Sequence, residues 1–314
     1  MNYTTARNII IYSELGEILP VFNSAHIKTI LLAGAALGVT VYPSIAERPM
    51  GDIDLLIRHR DKQAIGELLD TLGYVLDTAR SDEAHYSKTL DSITLHIDCH
   101  TDLRHYLDDR ALAGVWTRAR LWPVIPLSSS VIPAKAGIQS LILSPEDTLI
   151  YTCVDAAIYH GCITPNTLKD IELIINHYGS KFPLNKGGQG VVEESGINWH
   201  LVIQLIKSYR LETPLYILFD LCRLSACGSP AQAEQEGVLI PDEVLNSLHS
   251  RKRSLEYYLY QSTLASRIPY PESHEDSTRI LRFLFRPAAR WELFMNSFFP
   301  SLRFIRQCYD LNRP

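Results

Sequence analysis

Apolar side chains along the first hundred residues recur in short runs and at helical spacing, and this pattern predicts alternating strands and helices. Aliphatic runs at residues 29–32 and 51–57 are typical of strands, and residues 92–100 alternate apolar and polar side chains with the period of a strand. An alanine-rich, helix-prone stretch follows the first run. Residues 60–73 repeat apolar side chains on one helical face and end at Gly73, a common helix stop. This order predicts an α/β fold, a mixed sheet flanked by helices.

The second half of the chain has a mainly helical pattern. Ser144-Pro145-Glu146-Asp147 combines an N-cap serine, a first-turn proline and two acidic residues, which is a strong signal for the start of a helix. Helices are expected near residues 146–160, 165–178, 198–210, 213–226, 241–262 and 276–308.

A segment containing serines and prolines separates the two halves. Residues 126–143 predict a linker or inserted loop, and the part from Val131 to Gln139 resembles a peptide encoded by a mobile bacterial repeat element. We therefore expect an α/β domain over residues 1–125, this linker, and a helical domain over residues 144–314.

Composition sets broad limits on the kind of protein. The chain has 314 residues, of which 46% are hydrophobic and 21% charged, as in ordinary globular proteins of one or two domains. A net charge of −5 gives no strong nucleic-acid signal, and no apolar run is long enough to predict a membrane span. The six cysteines form no C-x-x-C pair, and with no N-terminal signal segment they predict reduced thiols and a cytoplasmic location.

Two aspartates placed one residue apart are the most informative feature of the sequence. Asp52 and Asp54 lie in the strand-like run Gly51–Ile57, and residues i and i+2 of a strand share a face. Two adjacent carboxylates repel each other unless they share a proton or bind a cation. Since Mg²⁺ prefers carboxylate oxygens together with substrate phosphates, the pair predicts a metal site that handles a phosphate. The other interpretation is a solvated turn at a strand end.

A third acid, a glycine turn and an arginine extend this pattern. Asp98 lies on the polar face of the strand at 92–100 and would complete a carboxylate triad around one or two metal ions if the two acidic strands are neighbours. Gly34 lies at the turn from strand to helix, where backbone N–H groups can approach an anion. Arg48 offers a guanidinium that suits phosphate oxygens or a carboxylate.

With these residues in this order, the sequence resembles the uncharacterised nucleotidyltransferase family of the DNA polymerase beta-like nucleotidyltransferase superfamily. The resemblance extends over about residues 25 to 210, and its most specific part is Arg48–Leu56. The other segments that share the family pattern are Leu31–Leu37, Tyr42-Pro43, Asp61–Leu69, Gly73-Tyr74, Leu143–Asp147, the helix ending near His160, and Asp170.

The resemblance implies a Mg²⁺-dependent enzyme that transfers a nucleoside monophosphate from an NTP, chiefly ATP, to a hydroxyl acceptor that the sequence does not identify. It implies that Asp52, Asp54 and Asp98 hold the metal in a two-metal site. Gly34 and Ala35 would flank the triphosphate, and Arg48 would steady the phosphates or brace the aspartate loop.

Two positions depart from the family pattern. Ala33 stands where the family usually carries a lysine before the turn glycine, and Asp155 stands where it often carries a histidine. Loss of the lysine removes a cation that neutralises phosphate, whereas the carboxylates are retained. The alternative to an enzyme is therefore a non-catalytic nucleotide-binding or scaffold protein that keeps the nucleotidyltransferase fold.

A zinc hydrolase is a second alternative. His96, Asp98 and His100 share one face of a strand, and imidazole suits zinc, iron or nickel. Such a site would draw its further ligands from His85, His105 or His160.

Overall fold

The structure is a computed structural model. It describes residues 3–90, 93–103, 107–121, 140–156, 164–179, 196–212 and 240–248, together with residues 215, 216, 218, 219 and 222. The chain divides into two compact units, the first over residues 1–147 and the second beginning at Thr148.

Helices and strands alternate through the first unit. Its described helices are α1 (Tyr3–Ser24), α2 (Ala33–Thr40), α3 (Lys62–Thr71) and α4 (Asp109–Arg118), with a 3₁₀ turn at His59–Asp61. Its described strands are β1 (Ile30–Leu31), β2 (Ile53–Leu56), β3 (Val75–Ala79), β4 (Glu83–Leu90), β5 (Ile93–His100), β6 (Arg120–Leu121) and β7 (Leu141–Ile142).

These strands form one seven-stranded sheet in the order β3-β4-β5-β2-β1-β7-β6. β2 runs parallel to β5 and β1 runs parallel to β7, whereas the other neighbouring strands are antiparallel. This mixed sheet flanked by helices confirms the predicted α/β fold class. The elements predicted between residues 29 and 100 correspond to β1, α2, β2, α3 and β5.

The hydrophobic core of the first unit joins one face of the sheet to α1 and α3. Ile53 and Leu55 of β2, Ile97 of β5, Leu15 of α1 and Leu69 of α3 are all at most 1% exposed and belong to this core. Side chains alternate along a strand. The residues next to Ile53 and Leu55 in β2, and those next to Ile97 in β5, therefore point to the opposite face of the sheet. That opposite face carries the polar side chains of β2 and β5.

The second unit is helical where the structure describes it. Its described helices are the rest of α5 (Pro145–Val154), then α6 (Pro165–Gly179), α7 (Trp199–Ser208) and α8 (Asp242–Leu248). The helix expected over residues 276–308 lies outside the described residues, as does most of the helix expected near 213–226.

The predicted start of α5 is confirmed. The Oγ atom of Ser144 accepts a hydrogen bond of 3.2 Å from the backbone N–H of Asp147, and the Ser144 hydroxyl donates one of 2.9 Å to the Asp147 carboxylate. Arg118, in the last turn of α4, binds the two oxygens of Asp147 at 2.8 Å each. Most of the linker predicted over residues 126–143 lies outside the described residues, and β7 forms near its end. Among the described helices, none is long and apolar enough to cross a membrane.

Candidate active site

Asp54 and Asp98 lie opposite each other on the neighbouring parallel strands β2 and β5. The same register places Leu56 opposite His100. Ligand atoms of Asp54, Asp98 and His100 all lie within 4.8 Å of one another. Asp54 is only 7% exposed and His100 only 4%. A carboxylate this buried needs compensating hydrogen bonds or positive charge.

The other residues of β5 explain why these three side chains share one face. Ile97 and Cys99 point into the hydrophobic core, so Asp98 and His100 point away from it. Burial raises the pKa of the Cys99 thiol, and the charges of Asp98 and Asp54 raise it further. The thiol lies on the core side of the sheet, on the face opposite Asp98 and His100.

His100 is held by its ring and by its backbone. Its Nε2 atom lies 3.0 Å from Oδ1 of Asp54, and its Nδ1 atom lies 3.9 Å from Oε2 of Glu83. Glu83 is the residue of β4 directly opposite His100. The His100 carbonyl accepts a hydrogen bond of 2.8 Å from the N–H of Ile57, which fixes the end of β5 against the end of β2.

A second imidazole lies between Asp98 and the same glutamate. His85 Nδ1 is 2.7 Å from Oδ1 of Asp98, and His85 Nε2 is 3.3 Å from Oε1 of Glu83. Burial lowers the pKa of His85, but hydrogen bonds and charge from Asp98 and Glu83 together outweigh it, so the net pKa is raised. Arg80 also binds Oε1 of Glu83, at 2.9 Å. Glu83 thus connects the two histidines, and each histidine holds one of the two aspartates.

Asp52 occupies a different environment from Asp54. It is exposed, directly precedes β2, and lies outside the group formed by Asp54, Asp98 and His100. Of the three predicted acids, the structure therefore brings Asp54 and Asp98 together and adds a histidine to them.

The loop that leads to Asp52 is fastened to α1. Arg7 donates hydrogen bonds to the carbonyl oxygens of Met50 (Nε, 3.0 Å) and Gly51 (Nη2, 2.5 Å). The side-chain amide of Asn8 donates to the carbonyl oxygens of Ile45 and, at 2.7 Å, Arg48. Sequence reasoning did not identify Arg7 or Asn8, because their role arises from contacts across more than thirty-five residues of chain.

The predicted turn residues lie beside this loop at the start of α2. A Cβ atom added to Gly34 would lie 3.1 Å from Cγ of Met50 and 3.5 Å from Nη1 of Arg48, so the turn and the arginine are adjacent. The first-turn N–H groups of α2, which include those of Gly34 and Ala35, have no carbonyl partner within the helix. The carbonyl of Ala35 accepts a hydrogen bond of 3.0 Å from the hydroxyl of Tyr12.

Ala33 adopts an unusual backbone conformation at this turn. Its φ angle is +45°, in the left-handed region that costs an L-residue about 1–2 kcal/mol. The N–H of the preceding residue, Leu32, donates a hydrogen bond of 3.0 Å to the carbonyl of Asp54. This bond ties the strained turn directly to the acidic strand.

The chemistry of the donor set fits a divalent metal ion. Two carboxylates and one imidazole converge from neighbouring strands, and such ions bind oxygen and nitrogen donors of this kind. His96, which the zinc alternative required, is exposed and outside the group. His105 and His160 lie outside the described residues.

Comparison with family models identifies one family. The model of a family described as uncharacterised nucleotidyltransferase matches residues 1–226. No curated protein matches the chain. Among solved structures, the antibiotic-resistance factor ANT(2'')-Ia in solution has 15% identity and a TM-score of 0.37, over 55% of this chain and 84% of that one. ANT(2'')-Ia in complex with adenylyl-2''-tobramycin has 13% identity and a TM-score of 0.40, over 66% and 98%.

Proposed function

Because the chain belongs to the uncharacterised nucleotidyltransferase family, we propose that it transfers a nucleoside monophosphate from Mg²⁺-bound NTP, ATP in the first instance, to an acceptor hydroxyl. The observation that carries this proposal is the pairing of Asp54 with Asp98 on adjacent parallel strands, with His100 beside them. In the proposed reaction the acceptor oxygen attacks the α-phosphorus in line, the bond to the β-phosphate breaks, and pyrophosphate leaves.

In this proposal all three acids are metal ligands. Asp54 and Asp98 supply oxygen ligands from β2 and β5, and Asp52 supplies one from the exposed position directly before β2. One or two Mg²⁺ ions held by these residues would supply positive charge that stabilises the attacking and leaving oxygens. Asp98 also assists removal of the proton from the acceptor hydroxyl.

The triphosphate is assigned to the turn between β1 and α2. The first-turn N–H groups at Gly34 and Ala35 suit phosphate oxygens, and Arg48 adds a guanidinium beside them. In this assignment Arg48 takes over part of the charge that a lysine at position 33 would provide.

An assay of pyrophosphate release tests the proposal. Purified protein is incubated with Mg-ATP and a panel of small polyols, sugars, protein hydroxyls and RNA ends, while titration calorimetry measures binding of a non-hydrolysable ATP analogue with Mg²⁺. We expect acceptor-dependent release that Asp54→Asn and Asp98→Asn each reduce by at least about 100-fold, since metal stabilises the transition state by several kcal/mol. Asp70→Asn, an exposed change on α3, is the matched control and keeps full activity.

The outcomes separate this proposal from its rival. Analogue binding that depends on Asp54, without turnover on any acceptor, supports the non-catalytic nucleotide-binding protein. Absence of both binding and release contradicts a nucleotidyl-transfer function altogether.

A further inference from the structure

One donor in the candidate metal site is a nitrogen atom. The ligand atoms that converge within 4.8 Å belong to Asp54, Asp98 and His100. The donors from β2 and β5 are therefore carboxylate oxygens and one imidazole nitrogen. His100 is only 4% exposed, and its ring points to the same face of the sheet as the two carboxylates. A nitrogen donor in this position affects which metal ion the site binds most tightly.

The distance between His100 and Asp54 suits two ligands of one ion. Nε2 of His100 and Oδ1 of Asp54 are 3.0 Å apart. Two ligand atoms at right angles about an ion with bonds of about 2.1 Å are separated by about 3.0 Å. The same distance also suits a direct hydrogen bond, so the other ring nitrogen has to be considered.

The other nitrogen of His100 faces a carboxylate that can orient the ring. Nδ1 lies 3.9 Å from Oε2 of Glu83, and both side chains are buried. With its proton on Nδ1, toward Glu83, the imidazole turns the lone pair of Nε2 toward Asp54 Oδ1. In the metal-free protein the same 3.0 Å separation is a hydrogen bond, and a cation bound by both atoms would displace its proton. A carboxylate behind a histidine ligand is the usual arrangement at metal centres, where it fixes the tautomer.

The neighbouring histidines are poorer candidates for this role. His85 lies outside the converging group, and its nitrogens contact Asp98 at 2.7 Å and Glu83 at 3.3 Å. His96 is exposed and lies outside the converging group. His100 is therefore the imidazole that the site can use.

We propose that His100 is a metal ligand through Nε2, that Glu83 orients it, and that the site binds Mn²⁺ in preference to Mg²⁺. This inference rests on the proposed function only in placing the ion at the same site. Mn²⁺ accepts carboxylate oxygens as Mg²⁺ does, and it binds imidazole more readily because affinity for nitrogen donors rises along the first-row transition metals. Mg²⁺ is a hard ion that favours oxygen.

Pulsed electron paramagnetic resonance of Mn²⁺ bound to the full-length protein tests the proposal. We expect the ¹⁴N modulation of one coordinated imidazole, replaced by a ¹⁵N pattern when the protein contains ¹⁵N-histidine. The modulation is lost in His100→Gln and retained in His96→Gln, the matched change on the same strand. The wild-type measurement needs no variant, so a missing ¹⁴N modulation overturns the proposal even if His100→Gln fails to fold.

Metal affinity provides a second readout that is independent of turnover. We expect the Mn²⁺ dissociation constant to rise at least about tenfold in His100→Gln and about tenfold in Glu83→Gln, with no change in His96→Gln. Magnesium competition should require at least about a tenfold excess over Mn²⁺ in the wild-type protein and less in His100→Gln.

Three results would overturn the inference: no Mn²⁺ binding, bound Mn²⁺ without nitrogen coupling, or coupling that persists in His100→Gln. Pyrophosphate release without nitrogen coupling refutes the role of His100 and leaves the proposed function standing. Nitrogen coupling in a protein that releases no pyrophosphate supports the metal site and removes the proposed function.

Discussion

Burial of the charged Asp54 carboxylate is unfavourable when the side chain is considered alone. Moving one charge from water into a protein interior costs several kcal/mol, and Asp98 and Glu83 add negative charge nearby. The 3.0 Å contact with His100 offsets part of this cost. Proteins keep such groups chiefly where function needs them, and in the proposed function a divalent ion adds positive charge at this site.

Restoring the family lysine should strengthen nucleotide binding. We expect Ala33→Lys to tighten binding of the Mg²⁺ complex of a non-hydrolysable ATP analogue by about three- to tenfold, because it adds a cation at the turn assigned to the triphosphate. Calorimetric titration measures the change. Ala64→Lys, which adds the same charge at an exposed position of α3, is the control and should leave the affinity unaltered. Equal affinities for wild-type protein and Ala33→Lys would place the triphosphate elsewhere.

The protonation of His85 should make stability depend on pH in the metal-free protein. Asp98 and Glu83 raise the pKa of His85 in the folded state, after burial has lowered it in part. The stabilisation is therefore complete below the unfolded pKa of about 6.5 and is lost as pH rises through the higher folded pKa.

Urea unfolding in the presence of a chelator, measured between pH 5 and about 9, checks this expectation. The free energy of unfolding of wild-type protein relative to His85→Gln should be greatest at the acidic end and decline above about pH 6.5. His96→Gln should follow the wild-type profile. A difference between wild-type protein and His85→Gln that does not vary with pH would contradict the assigned cause.

At the scale of elements, the pattern of apolar residues predicted the acidic strands but not everything that surrounds them. Ile53 and Leu55 predict the strand β2, and the alternation of apolar and polar residues in β5 predicts the face that carries Asp98. β3 is exposed throughout, and β4 has the mixed sequence EAHYSKTL, so neither contains the aliphatic run that marks a buried strand. Glu83 is the first residue of β4, so it could not be assigned to the site before the pairing of β3, β4 and β5 was known.

Helix α1 has a clear signal in the sequence, but its supporting role does not. Ile11, Leu15, Ile18 and Phe22 recur at helical spacing and are buried, so the signal for a helix is present in the sequence. Its function in supporting the site is not visible there, because the hydrogen bonds from Arg7 to the aspartate loop depend on the tertiary packing of α1.

Removing the bonds between α1 and the loop should affect both stability and the site. We expect Arg7→Ala to lower the free energy of unfolding by about 1–3 kcal/mol, because two loop carbonyls lose their donor, and to weaken Mn²⁺ binding by about tenfold through a looser approach to β2. Chemical denaturation and a metal titration measure the two effects. Arg60→Ala removes an arginine whose side chain is 78% exposed and should change neither quantity. A loss of stability with unchanged metal affinity would show that α1 does not position the acids.

At the scale of the whole molecule, every residue of the candidate site lies in the first unit. Asp54, Glu83, Asp98 and His100 fall within residues 1–147, and the family match extends beyond them to residue 226. The sequence pattern and the family resemblance predicted Asp52, Asp54 and Asp98 as metal ligands, and the structure brings Asp54 and Asp98 of these together. The histidine beside them was noticed only as part of a zinc site, since the choice between His96 and His100 depends on burial and on the pairing of β5 with β2 and β4.

Metal binding should stabilise the folded protein as a whole. A ligand that binds only the native state at 100 times its dissociation constant adds about 2.7 kcal/mol to the free energy of unfolding. We expect saturating Mn²⁺ to raise the thermal midpoint of wild-type protein and of Asp70→Asn equally. Asp54→Asn should show little or no rise. A similar rise in all three proteins would indicate that the stabilising ion binds away from β2 and β5.

The most direct test of the central claim is the location of the ion itself. Crystals of the full chain with Mn²⁺ and a non-hydrolysable ATP analogue, measured at a wavelength where Mn²⁺ scatters anomalously, would show it. We predict a peak bonded to Asp54, Asp98 and His100, with the triphosphate beside it at the turn that begins α2. A nucleotide bound with no peak between β2 and β5, or a peak at a different set of ligands, would contradict the account.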